Sequence, residues 1–396
     1  MNKKVNFLDL GLQPLANNYL KKNQLNIKEK KYRLKIGLDL KTKLVSINKP
    51  IASEIMFNSN YPYRSSMSKT MIKSFKDLSK LIKKKFKPKK ILEIGSNDGS
   101  FIKNFSKKNT IGVEPCSNVE KITKNRGFNT YARYWNISTA KKILSKNGKV
   151  DLIYSANTIS LIENLDEVFK SINIILNKNG IIIIEDPSLL ECLKKNTYDQ
   201  FYNEHIYVFS LIALSKFLEK HKLRIFKVDK LKVHGGSNRY FICKDQNKIK
   251  IDKSVKNLRK EEMKLSLHKL KTYKNFAKRV INSKLKLIEI LKRIKKSGKQ
   301  IIGYGATAKS VTILNYCKID STLIDYFLDV TPEKMNRYLP GVKIKIKRYN
   351  KNSLKNIHFV FLGAWNLKDE ILKNEKKFIK SGTKFITHIP TPRIIK

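Results

Sequence analysis

One stretch constrains the fold more than any other: Ile91-Leu92-Glu93-Ile94-Gly95-Ser96-Asn97-Asp98-Gly99-Ser100-Phe101. A short apolar run follows Lys89-Lys90 and breaks at Gly95 and again at Gly99. It reads as a buried parallel strand ending in a tight turn whose glycines let backbone approach a ligand. Phe101, Ile102 and Phe105 recur at helical spacing, which predicts a helix opening from the turn with its N-terminal amides toward a polar or anionic group. Taken alone, Gly95 and Gly99 fit any strand-turn-helix of a doubly wound domain equally well. The next strand, Thr110-Ile111-Gly112-Val113-Glu114, ends in a carboxylate about 20 residues further on, where an acid suits the two hydroxyls of a ribose. Asp98 in the turn would set negative charge beside a pyrophosphate. A cationic sulfonium carrying a ribose and no phosphate fits better, and S-adenosylmethionine has that chemistry.

Further strands are expected at Val150–Ser155, Gly180–Glu185, Leu223–Val228 and Arg239–Cys243, with helices at Ser68–Lys87 and Leu165–Leu176. Strands alternating with helices mean a parallel sheet covered on both faces. Residues 253–296 carry no strand signal and periodic Leu and Ile, so one or two long helices are expected there; the apolar positions keep no strict heptad. A second α/β unit opens at Ile301-Ile302-Gly303-Tyr304-Gly305-Ala306-Thr307-Ala308-Lys309, with strands at Leu323–Leu328, Phe359–Gly363 and Phe385–Thr387. Its turn holds no acid, and Thr307 with Lys309 suits a phosphate; close strand-helix packing explains the same glycines. Upstream, residues 1 to about 65 read as irregular. There Leu8–Leu20 is turn-rich, Tyr32–Leu40 and Leu44–Ile47 are strands, and Tyr61-Pro62-Tyr63-Arg64-Ser65-Ser66 is a defined loop. The expected division is an N-terminal module over 1–67, a central domain over 68–248, and a helical linker with a C-terminal domain over 249–396.

Charge decides which partners to discard. Lys plus Arg is 84 against 32 Asp plus Glu, a formal net charge of +52. Lys dominates, is spread from end to end, and forms no stripe interleaved with aromatics. Site-specific nucleic-acid recognition would favour Arg clusters, so the excess reads as solvated surface that also attracts anionic substrates. The four cysteines, Cys116, Cys192, Cys243 and Cys317, form no CxxC, which fits a reducing compartment with neither disulfides nor zinc. No apolar run reaches the length of a spanning helix and the N-terminus has no signal core, so a cytoplasmic protein is expected.

The richest acid-base cluster is Tyr198-Asp199-Gln200-Phe201-Tyr202-Asn203-Glu204-His205, just beyond a sheet strand, where α/β active sites lie. Tyr202, Glu204 and His205 could supply a base, its orienting carboxylate and an oxyanion donor; a structural histidine explains His205 as well.

Several motifs in order then resemble a known family. They are Leu10–Asn17, Tyr61–Ser66, Glu93–Gly99, Asp199–His205 and His234-Gly235-Gly236-Ser237-Asn238-Arg239. Gly303–Ala306, Tyr338-Leu339-Pro340-Gly341 and Ala364–Ile371 complete the set. Together they resemble the sugar C-methyltransferases that act on nucleotide-linked deoxyketosugars. The resemblance implies a small zinc module, a class I methyltransferase domain of Rossmann-like α/β fold and a C-terminal Rossmann-like domain. It also implies that His205 is the base removing the proton beside the sugar ketone, with Tyr202 and Glu204 orienting it or holding the enolate oxygen. Glu93, Gly95, Asn97, Asp98, Gly99, Glu114 and Asn157 would hold S-adenosylmethionine. Tyr61 and Tyr63 would roof the site, and His234, Arg239, Lys309, Lys334 and Arg337 would take the nucleotide-sugar, the basic ones at its diphosphate. Two departures stand out. Asp39 and Thr42 occupy the place of a zinc CxxC pair, so zinc is not expected. Leu161 stands where the family often carries a histidine, which opens two alternatives: an oxygen or other small-molecule acceptor, or a catalytically silent relative.

Overall fold

A computed structural model describes residues 4–395. The N-terminal part builds β1 (Lys4–Gln13), β2 (Tyr32–Asp39) and β3 (Val45–Ile47), then a one-turn α1 (Ser53–Met56) and α2 (Lys69–Lys85). Leu8–Gln13 therefore belongs to a long strand, although its Gly and Pro punctuation read as irregular. The punctuation marks register shifts after Asn6 and Asp9, and Leu8, Leu10 and Gln13 still point into the core.

The central sheet follows with β4 (Ile91–Ile94), β5 (Thr110–Val113), α3 (Ser117–Asn125), β6 (Asn129–Tyr131), α4 (Ile137–Asn147), β7 (Val150–Ala156), α5 (Leu165–Ile175) and β8 (Leu176–Pro187). After α6 (Leu189–Lys195), the two-residue β9 (Tyr207–Val208) leaves this sheet and joins β3, giving an N-terminal sheet ordered β1-β2-β3-β9. Then α7 (Leu211–Glu219), β10 (Leu223–Leu231) and β11 (Ser237–Lys244) complete a seven-stranded sheet ordered β10-β11-β8-β7-β4-β5-β6. Strands β4 to β8 in it are parallel. Because β5 and β7 flank β4 on opposite sides, the end of β4 is the topological switch point, where such sheets bind ligands.

Two helices, α8 (Lys253–Lys264) and α9 (Leu270–Lys296), bridge to the C-terminal sheet, as the missing strand signal indicated. That sheet comprises β12 (Ile301–Tyr304), α10 (Ala308–Cys317), β13 (Phe327–Asp329), β14 (Ile346–Arg348), β15 (Phe359–Leu362), α11 (Lys368–Asn374), α12 (Lys376–Lys380), β16 (Lys384–Thr387) and β17 (Arg393–Ile395). Its order is β14-β13-β12-β15-β16-β17, with a second switch point at β12.

Two local expectations fail for identifiable reasons. The turn after β4 opens no helix, only a single 3-10 turn over Ile102–Asn104. The chain must reach β5 by Thr110, Phe101 and Ile102 are fully buried under the sheet, and the Asn104 amide folds back onto the carbonyls of Ser100 and Phe101. Likewise β13 begins at Phe327 rather than Leu323, because Asp320 closes a turn by accepting the amide and hydroxyl of Thr322.

Candidate active site

The first glycine turn is held by its own acids. Gly95 has φ +74°, and a Cβ there would stand 2.1 Å from the Thr158 hydroxyl, so only glycine lets the turn pass the loop after β7. Asn97, itself left-handed at φ 47°, donates its amide to Glu114 Oε2 at 2.9 Å, and the Cys116 amide reaches Glu114 Oε1 at 2.9 Å. Burial pushes the Glu114 carboxyl up, against those two amides. Glu93, at the end of β4, is buried with Oε2 unpartnered, and burial raises its carboxyl well above the usual range. A buried acceptor without a donor marks a place for a cationic or hydroxyl-bearing ligand.

One cavity of about 460 Å³ runs from this turn to the C-terminal sheet. Glu93, Gly95, Asn97, Glu114 and Asn157 line it, together with Tyr61, Tyr63, Tyr202, Glu204, His205, His234, Lys309 and Lys334. Four expected residues lie elsewhere. Asp98 accepts the Ser100 hydroxyl at 2.6 Å and the Ser66 amide at 3.1 Å, so its charge fastens a loop instead of facing a ligand. Gly99 gives close passage to α3, where a Cβ would come within 2.8 Å of Thr123. Arg239 is buried in the central sheet against Glu185, Nε to Oε1 2.6 Å, and no free guanidinium remains for a diphosphate. Arg337 lies beyond the cavity wall, its backbone bonded to Lys334 and Ile346.

The acid-base residues form a connected group. His205 Nδ1 is 2.9 Å from the Gln200 carbonyl, which can only accept, so Nδ1 carries the proton. Its Nε2 then accepts the Tyr202 hydroxyl at 2.6 Å. Burial, then the charges of Lys309 and His234, bring His205 down to about 3, so the imidazole is neutral. Tyr202 is pushed well up, mainly by burial. Glu204 accepts from Asn17 Nδ2 at 2.7 Å and from the Tyr61 hydroxyl at 3.0 Å; burial lifts it to about 7 against both donors. Sequence inspection gave Asn17 no role of its own; Pro14 and Asn17 both reach this segment, since Asn203 Nδ2 bonds the Pro14 carbonyl at 3.1 Å.

The loop over 61–66 closes across the cavity. Asn97 exchanges two bonds with it, accepting the Ser65 amide at 2.8 Å and donating to the Tyr63 carbonyl at 3.2 Å. Arg64 pairs with Glu333 of the C-terminal part. At the far end, Lys334 donates to the Ala306 carbonyl at 2.8 Å and stands 3.4 Å from Asp329; burial lowers its basicity, but Tyr19 and Asp329 outweigh that and leave it raised. Asp329 also takes the Ala306 amide at 2.9 Å, so the acids at the ends of β5 and β13 hold their glycine turns in the same way. Leu161 lies on the wall among Ile51, Phe57 and Tyr61, an apolar patch.

Three family models match consecutive stretches: a "putative zinc binding domain" over 1–57, a methyltransferase domain over 63–228 and a C-methyltransferase C-terminal domain over 232–390. The C-methyltransferase NovU of Streptomyces niveus is 28% identical over 393 residues, covering 98% of this chain and 93% of that protein. Among solved structures, an S-adenosylmethionine-dependent methyltransferase from Clostridium acetobutylicum aligns at TM-score 0.34 and 16% identity, over 43% of this chain and 91% of its own. Magnesium protoporphyrin IX methyltransferase from Synechocystis, solved with bound S-adenosylhomocysteine, aligns at TM-score 0.35 and 10% identity, over 44% and 83%. Zinc does not fit the residues present: positions 1–57 hold neither cysteine nor histidine. Asp39 Oδ1 instead accepts the amides of Lys41 at 2.9 Å and Thr42 at 2.6 Å, closing by hydrogen bonds the turn that a CxxC pair would close on metal. Zinc apart, the chain is similar, part by part and in order, to a three-part C-methyltransferase, and it is an S-adenosylmethionine-dependent methyltransferase.

Proposed function

We propose that the acceptor is a nucleotide-activated deoxyketosugar and that the methyl is added to the carbon beside its ketone. The carrying observation is that one cavity is lined by carboxylates and a glycine turn, by Lys309, Lys334 and His234, and by the hydrogen-bonded Tyr202–His205 pair. Glu93, Asn97, Glu114 and Asn157 would hold S-adenosylmethionine, which supplies an electrophilic methyl group on a sulfonium. Tyr61 and Tyr63 cover the site. Lys334, Lys309 and His234 face the sugar end.

His205 is the base and works through Tyr202. A neutral imidazole with its Nε2 lone pair on the Tyr202 hydroxyl can take that proton as the phenol oxygen takes one from the α-carbon. Asn17, Tyr61 and Glu204 keep the neighbouring segment in register with the N-terminal sheet. A ketone is what makes such a proton removable by so weak a base, which favours carbon over oxygen as the acceptor atom. The apolar wall at Leu161 points the same way, since it offers an acceptor hydroxyl no proton partner.

Purified protein is expected to bind S-adenosylhomocysteine at micromolar concentration and to methylate one member of a panel of nucleoside diphosphate ketodeoxyhexoses, read by mass spectrometry. With S-adenosylhomocysteine bound, His205→Ala should abolish solvent deuterium exchange at the α-carbon while leaving nucleoside binding intact. Exchange that survives in this variant would remove His205 as the base.

A further inference from the structure

Lys309 is the cavity's unexplained charge. It is 8% exposed, the second residue of α10, and makes no hydrogen bond or ion pair with any described residue; Asp199 touches it only through its field. An ammonium taken out of water without a partner is strongly unfavourable, and a fold that keeps one is answering to a ligand. Lys334, the other lysine of the cavity, is engaged by Ala306 and Asp329. Three further unpartnered nitrogens belong to residues that line the same cavity. The backbone N–H groups of Ala308 and Lys309, at the start of a ten-residue helix, have no acceptor. His234, held at φ 53° by the Gly235-Gly236 turn, keeps Nε2 buried and unpartnered. Lys309 lines the same cavity as Tyr202, His205 and His234, and of all charges it weighs most on the two histidines.

We propose that Lys309 is a catalytic residue of the carbon-acid step, its ammonium receiving the ketone oxygen and holding the negative charge that develops there. This rests on the ketosugar reading above. In the step, the α-carbon–hydrogen bond breaks and its proton passes to Tyr202 as the Tyr202 proton passes to His205. The bonding pair becomes the carbon–carbon double bond of the enolate, and the carbonyl π pair moves onto the oxygen beside Lys309. The electrostatics require this pairing. A proton on His205 without an enolate would set an imidazolium beside the Lys309 ammonium in a desolvated cavity, whereas the enolate oxygen offsets the added positive charge. Burial first, and the Lys309 charge after it, keep the base neutral at rest, and proton removal then depends on a ketone placed against Lys309.

The test uses the full-length protein with S-adenosylhomocysteine and nucleoside diphosphate ketodeoxyhexoses bearing thymidine, uridine or guanosine. Lys309→Met should still bind S-adenosylhomocysteine by calorimetry, which shows the fold intact. It should bind the sugar within about threefold of wild type and lose α-deuterium exchange by about 100-fold or more, the size expected for removing an oxyanion-stabilising group. Lys309→Arg, which keeps the charge, should recover much of the exchange. Full exchange in Lys309→Met overturns the proposal. So does a loss confined to sugar binding, since that marks Lys309 as a diphosphate anchor. If wild-type protein exchanges none of the sugars, the ketosugar reading itself falls and the proposal with it.

Discussion

At the residue scale, the cavity and the core around it hold titratable groups away from their ordinary protonation. Burial brings His205 and His234 down to about 3, and lifts Glu204 and the helix-capping Glu262 to about 7 and Asp186 to about 8. The signs oppose. The histidines are neutral when folded and protonated when unfolded between about 3 and 6.5, so they add stability as pH rises through that window. The carboxyls keep protons in the fold that the unfolded chain has released, so they remove stability as pH rises from about 4 to about 7 for Glu204 and Glu262 and to about 8 for Asp186. Above pH 6.5 only the second effect remains. The melting temperature should therefore fall between pH 6.5 and 8 in low-salt buffer, and a rise over that interval would contradict the assignments. Tyr61→Phe removes one donor from Glu204 and should move its titration further upward, seen as an alkaline shift of the activity profile.

At the element scale, turns decide more than strands. Gly95→Ala places a methyl against Thr158 in a backbone region hostile to L residues; it is expected to abolish S-adenosylhomocysteine binding, and retention of wild-type affinity would show that the turn can move aside. The Asp39 turn makes the opposite point, because a carboxylate there performs a metal's structural task with two amide bonds. Dialysis against EDTA should leave the melting temperature unchanged, and Asp39→Ala should cost about 1–2 kcal/mol in denaturant unfolding. A chelator-induced drop of several degrees would show that a metal is bound after all.

At the scale of the whole molecule, the N-terminal sheet is a bridge. It borrows β9 from the segment after His205, sends Asn17 to Glu204 and Tyr19 to the Ala306 carbonyl at 2.8 Å, and pairs Leu20 with Tyr338. The other seam is polar and buried: Asp199, fully buried, accepts Trp365 Nε1 at 2.6 Å and His388 Nε2 at 3.0 Å, so the segment that carries Tyr202 and His205 is tied to two loops of the C-terminal sheet. Trp365→Phe leaves Asp199 one donor short and also removes packing against Gly235, so a loss of about 1–3 kcal/mol with a weakened sugar affinity is expected. Unchanged stability would mean that water replaces the indole N–H.

Much of this was legible because it depends on local covalent pattern. Glycines at 95, 303 and 305, the acid ending β5, the apolar runs of the parallel strands and the strandless stretch ahead of β12 carry their meaning within a few residues, and they determined two α/β units and S-adenosylmethionine as the cofactor to expect. What only the tertiary structure decided concerns where charges end up. Asp98 and Arg239 have the right chemistry for ligands, yet one closes a loop and the other pairs with Glu185 inside a sheet, because burial demands a partner and the nearest partner came from a distant strand. The second glycine turn pointed to Lys309 as well, but that its ammonium has no such partner among the described residues only the tertiary structure shows.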